Sequence, residues 1–157
     1  MSLAVFDIDG VVADVRHRVH LVERRPRDWS GFFAAADADL PSDTGIGWAL
    51  RAAEQHELAW LTGRPEWLRE VTAGWLGRHG LPVRQLIMRS NRDYRPAREY
   101  KVEQLRRLAA EDEIAVFVDD DPQVVTAAAE AGFTASLATW LPRGRALDDA
   151  QERAGRS

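Results

Sequence analysis

Two apolar patterns alternate along the chain. Short, mainly apolar stretches cover residues 3–8, 58–61, 85–88, 114–118 and 134–138, and that over 114–118 is continuous. Runs of that length without polar alternation predict strands buried on both faces. Between them apolar residues recur at helical spacing. Ile46, Ala49, Leu50 and Ala53 predict a helix over 45–55. Leu68, Val71, Trp75 and Leu76 predict another, opened by Pro65 and running to about His79, where Gly80 stops it. A polar and basic loop then leads to a helix from about Glu99 to Ala110, and Pro122 opens a last one that ends at Gly132. Residues 11–44 break the alternation as an insertion. They open with Arg16, His17, Arg18, His20, Arg24, Arg25 and Arg27, continue with Trp29, Phe32 and Phe33, and predict short helices and turns up to Pro41-Ser42-Asp43. Strands and helices in alternation, joined by short connections, predict an α/β fold with a parallel sheet and right-handed crossovers.

Composition narrows the class without naming the chemistry. The chain has 157 residues, 45% hydrophobic and 29% charged, which suits one domain with a sizeable core and argues against disorder. The division expected is a domain over 1–142 followed by a charged tail over 143–157. Cysteine is absent, which excludes disulfides, a thiol nucleophile and a cysteine metal site. No apolar run approaches the roughly 20 residues of a membrane span, and Met1-Ser2-Leu3 lacks the basic start of a signal peptide. The expected location is the cytoplasm. A net charge of −4 gives no global sign of nucleic-acid binding, yet the cations are unusual. Lys101 is the single lysine, and arginine fills every other basic position.

Three of the strands end in polar signatures: Asp7-Ile8-Asp9-Gly10, Thr62-Gly63-Arg64 and Asp119-Asp120-Asp121. A parallel sheet brings all three to one edge, where ligands bind in open α/β folds. Taken singly, each has a plain structural reading. Asp9-Gly10 suits a hairpin turn, Thr62-Gly63-Arg64 a helix start, and Asp121 before Pro122 an N-cap. A calcium loop does not fit, because the glycine comes too early and Arg18 stands where a bidentate glutamate belongs. Asp119 and Asp120 have no such structural reason, and adjacent acids repel unless a cation relieves them. An oxygen-rich set of Asp7, Asp9 and Asp119, with Asp120 beside it, suits Mg²⁺. A lone lysine is usually a solvated surface charge. Lys101, however, shares a helical face with Leu105 and Leu108, which points it inward. Together these parts describe phosphoryl transfer through a covalent aspartate. Asp7 is the nucleophile, and Mg²⁺ and Lys101 offset negative charge. Asp9 acts as acid and then base. Thr62 and nearby backbone N–H groups, Gly63 among them, hold phosphoryl oxygens, and Arg64 contacts a non-transferring part of the substrate.

The ordered set, Asp7-Ile8-Asp9-Gly10-Val11, Thr62-Gly63-Arg64, Lys101 and Asp119-Asp120, resembles the haloacid dehalogenase (HAD) superfamily over about residues 3–138. The resemblance implies a Rossmann-like parallel sheet flanked by helices, Mg²⁺, and the roles just given. The second acid, Asp9, favours phosphatases over dehalogenases. That superfamily usually gates its site with an inserted cap. The 11–44 insertion is too short for a cap domain, so a minimal cap and an open site are expected, which suits a bulky phosphorylated substrate.

The stretch from Arg84 to Lys101 carries Arg84, Arg89, Arg92, Arg95 and Arg98 with Tyr94 and Tyr100 interleaved. It reads either as a surface for phosphates and a stacked base, Arg89 among its contacts, or as a solvated basic loop. Residues 87–101 and Asp119-Asp120-Asp121-Pro122-Gln123-Val124-Val125 are similar to the 3′-phosphatase domain of polynucleotide kinase-phosphatases. That group implies a substrate-binding arginine after the first motif, for which Arg18 and then Arg16 are the candidates. It often carries an acid three or four residues before the lysine, where this chain has Arg98 and Ala97. No Gly-x-x-x-x-Gly-Lys-Ser/Thr is present, so a kinase or other repair partner would be a separate chain. The leading expectation is removal of 3′-phosphates from polynucleotide ends or nucleotides. The alternatives are a 5′-nucleotidase-like small-molecule phosphatase and a binding module without turnover. Oligomeric state stays open.

Overall fold

The computed structural model describes residues 2–143. Its first strand, β1 (Ser2–Phe6), is the centre of the molecule. The insertion follows: β2 (Ala13–Asp14), a single 3₁₀ turn at Arg16–Arg18, α1 (His20–Glu23), α2 (Trp29–Ala34), a second 3₁₀ turn and β3 (Leu40–Pro41). Then come α3 (Asp43–Ala53), β4 (Glu57–Pro65), α4 (Arg69–Arg78), β5 (Gln85–Arg89), α5 (Ala97–Ala109), β6 (Glu113–Asp119), α6 (Pro122–Glu130) and β7 (Ala135–Leu137). The main sheet has the order β5-β4-β1-β6-β7, and every adjacent pair is parallel. This is the Rossmann-like architecture expected. Among the described residues no helix is long and apolar enough to cross a membrane.

The period-two geometry of the strands divides the core. Ala4 and Phe6 of β1, with Leu58 and Trp60 of β4, pack under Ala49 of α3 and Trp75 and Leu76 of α4. Leu3, Val5, Ala59 and Leu61 face the other way, against Tyr100 and Leu105 of α5 and Val124 and Ala128 of α6. Both faces of β1 and β4 are therefore covered, which is why their sequences read as unbroken apolar runs. A third cluster, Val15, Val22, Phe32 and Phe33 with Leu68 and Met88, seats the insertion on the sheet edge. Trp29 stacks on Phe33, completing that aromatic group.

The elements correct the sequence reading in three places. β4 does not stop at Leu61; it runs on through Thr62-Gly63-Arg64 to Pro65. Four residues of β4 advance, from Leu61 to Pro65, opposite only two of β5, so the signature bulges from the ladder. Pro65 thus ends a strand, and α4 starts at Arg69 after a 3₁₀ turn. The insertion also contains a small antiparallel ladder, β2 with β3, too short to show any alternation. The tail expected from residue 143 onward lies outside the described residues, except for Arg143.

Two glycines are steric necessities. Gly10 has φ +79, and a Cβ there would sit 1.9 Å from Asp120 Oδ2. At Gly45 a Cβ would sit 1.7 Å from the Val11 carbonyl oxygen, where α3 passes the chain leaving β1. Ser42 caps that helix by accepting from the Gly45 N–H.

Candidate active site

Strand order explains the site. β1 lies between β4 and β6, so the ends carrying Asp7, Thr62–Arg64 and Asp119 are neighbours. Asp7 follows β1 directly, and its Oδ1 accepts the Ile8 N–H at 2.8 Å. Asp119 Oδ1 accepts the Asp121 N–H at 2.9 Å, while Asp121 caps α6 through the Gln123 N–H, with Pro122 in the first turn. Lys101 comes in from α5, its ammonium 2.6 Å from Asp119 Oδ2 and 3.1 Å from Asp7 Oδ2. It is buried, as its place on the Leu105 face predicts.

Asp7, Asp119 and Asp120 each offer one carboxylate oxygen within 4.8 Å of the other two. Burial, and then the Asp119 carboxylate, push Asp7 well above the ordinary carboxylate range, against the pull of Lys101. Burial likewise pushes Asp120 up to about 7; Arg143 pulls it down and Asp119 adds to the rise. Burial alone would lower Lys101, but Asp119 and Asp7 outweigh it, and the ammonium stays charged. Three buried acids with two cations, Lys101 and Arg143, are short of positive charge. Asp120 Oδ1 is buried without a hydrogen-bond partner. A hard oxygen donor set with an orphaned oxygen fits a Mg²⁺ ion. The Asp9 side chain stands outside this set, a correction to the expected ligands, because it is engaged elsewhere.

Asp9 belongs to a second buried network. Its Oδ1 accepts from Arg64 Nη2 at 2.6 Å, Arg64 Nε at 3.0 Å and Arg18 Nη2 at 3.2 Å. Both arginines also hold Asp39: Arg18 with Nε and Nη2 at 2.8 Å each, and Arg64 with Nη2 at 3.1 Å. His17 Nε2 lies 2.6 Å from Asp39 Oδ1. Trp75 of α4 fixes the backbone by donating to the Asp39 carbonyl at 2.9 Å, and Arg64 Nη1 donates to Thr72 Oγ1 at 3.1 Å. Arg18 lies over the Phe32 ring. Burial works to raise the Asp9 pKa, but Arg64 and Arg18 outweigh it and hold the carboxyl below its ordinary range. Asp9 Oδ2 has no hydrogen-bond partner.

This changes the expected roles of several arginines. Arg18 and Arg64 are fully buried (0% exposed) with their guanidinium groups spent on carboxylates, so they act as internal struts rather than as groups facing a ligand. Arg16 is exposed and chelates Asp14. Arg89 is buried at the end of β5, lies over the Tyr100 ring, and bonds Asp93 and the Arg95 carbonyl. Tyr100 is core, packed with Leu105 and Val124, so it cannot stack a base; Tyr94 is exposed. Thr62 is buried and its Oγ1 accepts from the Arg64 N–H, with Gly63 buried between them. Sequence reasoning missed Asp39, which belongs to none of the signatures, and Arg143. The Arg143 guanidinium lies 2.7 Å from Asp120 Oδ2 and 3.4 Å from Asp121 Oδ2.

A hollow of about 790 Å³ between α5 and α6 is lined by Arg98, Arg106 and Ala127 and touches no signature residue. A smaller cavity of about 320 Å³ reaches Gly10 and Asp120.

Comparison with known proteins agrees with this geometry. The model of the polynucleotide kinase PNKP phosphatase domain matches residues 2–136. No curated protein matches the chain in sequence. Among solved structures, the fold resembles a chain of the Pnkp1/Rnl/Hen1 RNA repair complex, with TM-score 0.72 and 24% identity, covering 91% of this chain and 44% of that one. A haloacid dehalogenase-like hydrolase, SP0104 from Streptococcus pneumoniae, gives TM-score 0.60 at 13% identity over 98% and 92% of the two chains. D,D-heptose 1.7-bisphosphate phosphatase from B. bronchiseptica, solved with magnesium and phosphate, gives 0.54 at 17% over 92% and 90%. At these identities the likeness is one of fold. The chain spans less than half of the first two solved chains it matches, 44% and 48%.

Proposed function

Because the chain belongs to the family of polynucleotide kinase PNKP phosphatase domains, and is thus a HAD-type phosphatase, we propose that it is a Mg²⁺-dependent phosphomonoesterase that removes 3′-phosphates from polynucleotide ends or nucleotides through an aspartyl-phosphate. The observation that carries the reading is the pairing of two buried aspartates with opposite environments. Asp7 lies among acids and one lysine, and Asp9 is gripped at one oxygen with the other left without a partner.

Asp7 attacks phosphorus as the ester P–O bond breaks, and the Asp7–phosphorus bond forms. Lys101, already 3.1 Å from Asp7 Oδ2, offsets the charge gathered there. Asp7, Asp119 and Asp120 would hold Mg²⁺, which supplies positive charge against the repulsion between the phosphoryl group and the acids. The departing oxygen takes a proton from Asp9 Oδ2. Water then attacks phosphorus and gives a proton back to Asp9 Oδ2, the Asp7–phosphorus bond breaks, and inorganic phosphate leaves. Arg64 and Arg18, bound at Oδ1, leave Oδ2 for the proton. The lowered Asp9 pKa favours the base step, and an incoming phosphoryl dianion raises it for the acid step. Thr62 and the Gly63 backbone complete the phosphoryl pocket. A kinase or other repair partner is part of the reading.

The test is Mg²⁺-dependent phosphate release from a 3′-phosphorylated oligonucleotide, a 3′-nucleotide, a 5′-nucleotide and an aryl phosphate, with Asp7→Asn as the blank. Preference for the 3′-phosphates supports the reading. Activity confined to 5′-nucleotides or small esters moves the function to metabolite dephosphorylation. Near-native turnover by Asp7→Asn refutes the covalent mechanism.

A further inference from the structure

We propose that the cavity beside Asp120 is the subsite for the terminal nucleoside of the leaving group. The proposal rests on the phosphatase reading above and says where that enzyme's leaving group sits. The cavity lies between the segment 14–19 that follows β2 and the segment 141–143 that follows β7. Its floor is Gly10 and Asp120, so a group seated in it lies next to the acid cluster. The position is fixed by a steric fact: only glycine at residue 10 lets Asp120 approach the chain this closely.

The walls suit a flat, partly apolar group. Val15 and Val19 face the cavity from one side, and Leu141 and Pro142 from the other. At about 320 Å³ it lies at the lower end of ligand pockets, roughly 300–1,000 Å³, and so holds one nucleoside rather than a run of bases. The rim is polar. Asp14 and Glu23 accept hydrogen bonds from sugar hydroxyls or base amino groups, and Arg16 is held in place against Asp14 at 2.6 Å. Arg143 stands at the join between cavity and acids, with only 11% of its side chain exposed. Its cation sits on Asp120 Oδ2, where the cavity meets the acid cluster. The hollow along Trp48 and Trp140, about 330 Å³, is lined by Val116, Val118 and Leu137 and reaches none of the acids.

The experiment compares kcat/KM for a nucleoside 3′-monophosphate with that for its base-free analogue, 1,2-dideoxyribose 3-phosphate. Both are assayed on the wild-type chain and on Val19→Trp and Pro142→Trp. Each variant fills the cavity from a different side, and Pro142 is exposed, so its replacement spares the core. Thermal melts establish that the variants are folded. The wild type is expected to prefer the base-bearing ester at least tenfold. Both fillings should bring that ratio to within about twofold of one, chiefly through KM. Equal hydrolysis of the two esters by wild type overturns the subsite and leaves the phosphatase reading standing. So does a ratio that survives both fillings. If the wild type cleaves neither these esters nor a 3′-phosphorylated oligonucleotide yet hydrolyses an aryl phosphate, the 3′-phosphate reading fails and the subsite falls with it.

Discussion

Replacing Arg64 by methionine separates two roles that an arginine in this motif can play. If Arg64 served substrate, its loss would lower activity and spare the fold. In the structure its loss costs the fold as well as the setting of Asp9. Arg64 is fully buried, forks onto Asp9 with contacts of 2.6 and 3.0 Å, reaches Asp39 at 3.1 Å and donates to Thr72. Methionine fills much of the volume but leaves two buried carboxylates to share Arg18. Removing one partner of a buried pair costs about 3–5 kcal/mol, because the remaining charge is stranded. For a chain of this size each kcal/mol shifts the melting temperature by about 2–4 °C, so a fall of about 6–20 °C is expected. Thermal and urea unfolding at neutral pH measure it. Arg64→Lys, which keeps a charge but not the fork, should recover only part of the loss.

The pH dependence supplies an independent sign. In the folded wild type Asp9 titrates below its ordinary value because Arg64 and Arg18 outweigh burial. That contribution to stability is present above the unfolded value, near 3.9, and is lost as pH falls through the folded one. In Arg64→Met the balance tips toward burial, Asp9 takes up a proton more readily, and acid relieves the variant. The gap between wild type and variant should therefore narrow as the pH is lowered through the ordinary carboxylate range. A melting temperature within 2 °C of wild type at neutral pH, together with a large loss in kcat/KM, would refute the strut and return Arg64 to the substrate.

Lys101→Arg keeps the charge but places a planar fork between two acids spaced for an ammonium; turnover is expected to fall at least about a hundredfold, and an unimpaired rate would mean that charge alone suffices there. Gly10→Ala drives a Cβ into Asp120 Oδ2 at 1.9 Å, and should raise the half-saturating Mg²⁺ concentration by roughly 10–100-fold, as read from phosphate release against metal concentration. Gly45→Ala meets the Val11 carbonyl at 1.7 Å and is expected to cost about 1–3 kcal/mol in urea unfolding. Its control, Gly47→Ala in the same helix, meets only the end of the Arg51 side chain at 3.5 Å, and should stabilise by roughly 0.5–1 kcal/mol.

What could be read from the chain, and what could not, follows from how far each residue's role depends on its neighbours in sequence. β1, β4 and β6 were legible because the sheet is covered on both sides there, so burial appears as a run of apolar residues. Lys101 was legible because a helix repeats every three to four residues, and its place on the Leu105 and Leu108 face fixed its direction before any partner was known. β2 and β3 were not legible: two residues each carry no period. The arginines failed for a different reason. A guanidinium is suited equally to a phosphate in a cleft and to a carboxylate in a core, and nothing beside Arg18, Arg64 or Arg89 says which one it meets. The deciding residue for the first two is Asp39, 30 positions beyond Asp9 in a plain Ala-Asp-Leu-Pro context. An excess of acid over available cations at a site is a signal that only the fold can total. Counted in place, Arg18 and Arg64 belong to Asp9 and Asp39, and Lys101 is shared by Asp7 and Asp119. Asp120 is left with Arg143 and an unpartnered oxygen. The deficit of positive charge therefore falls at the acid trio and not at Asp9, which is why the metal is proposed for the first and the proton for the second.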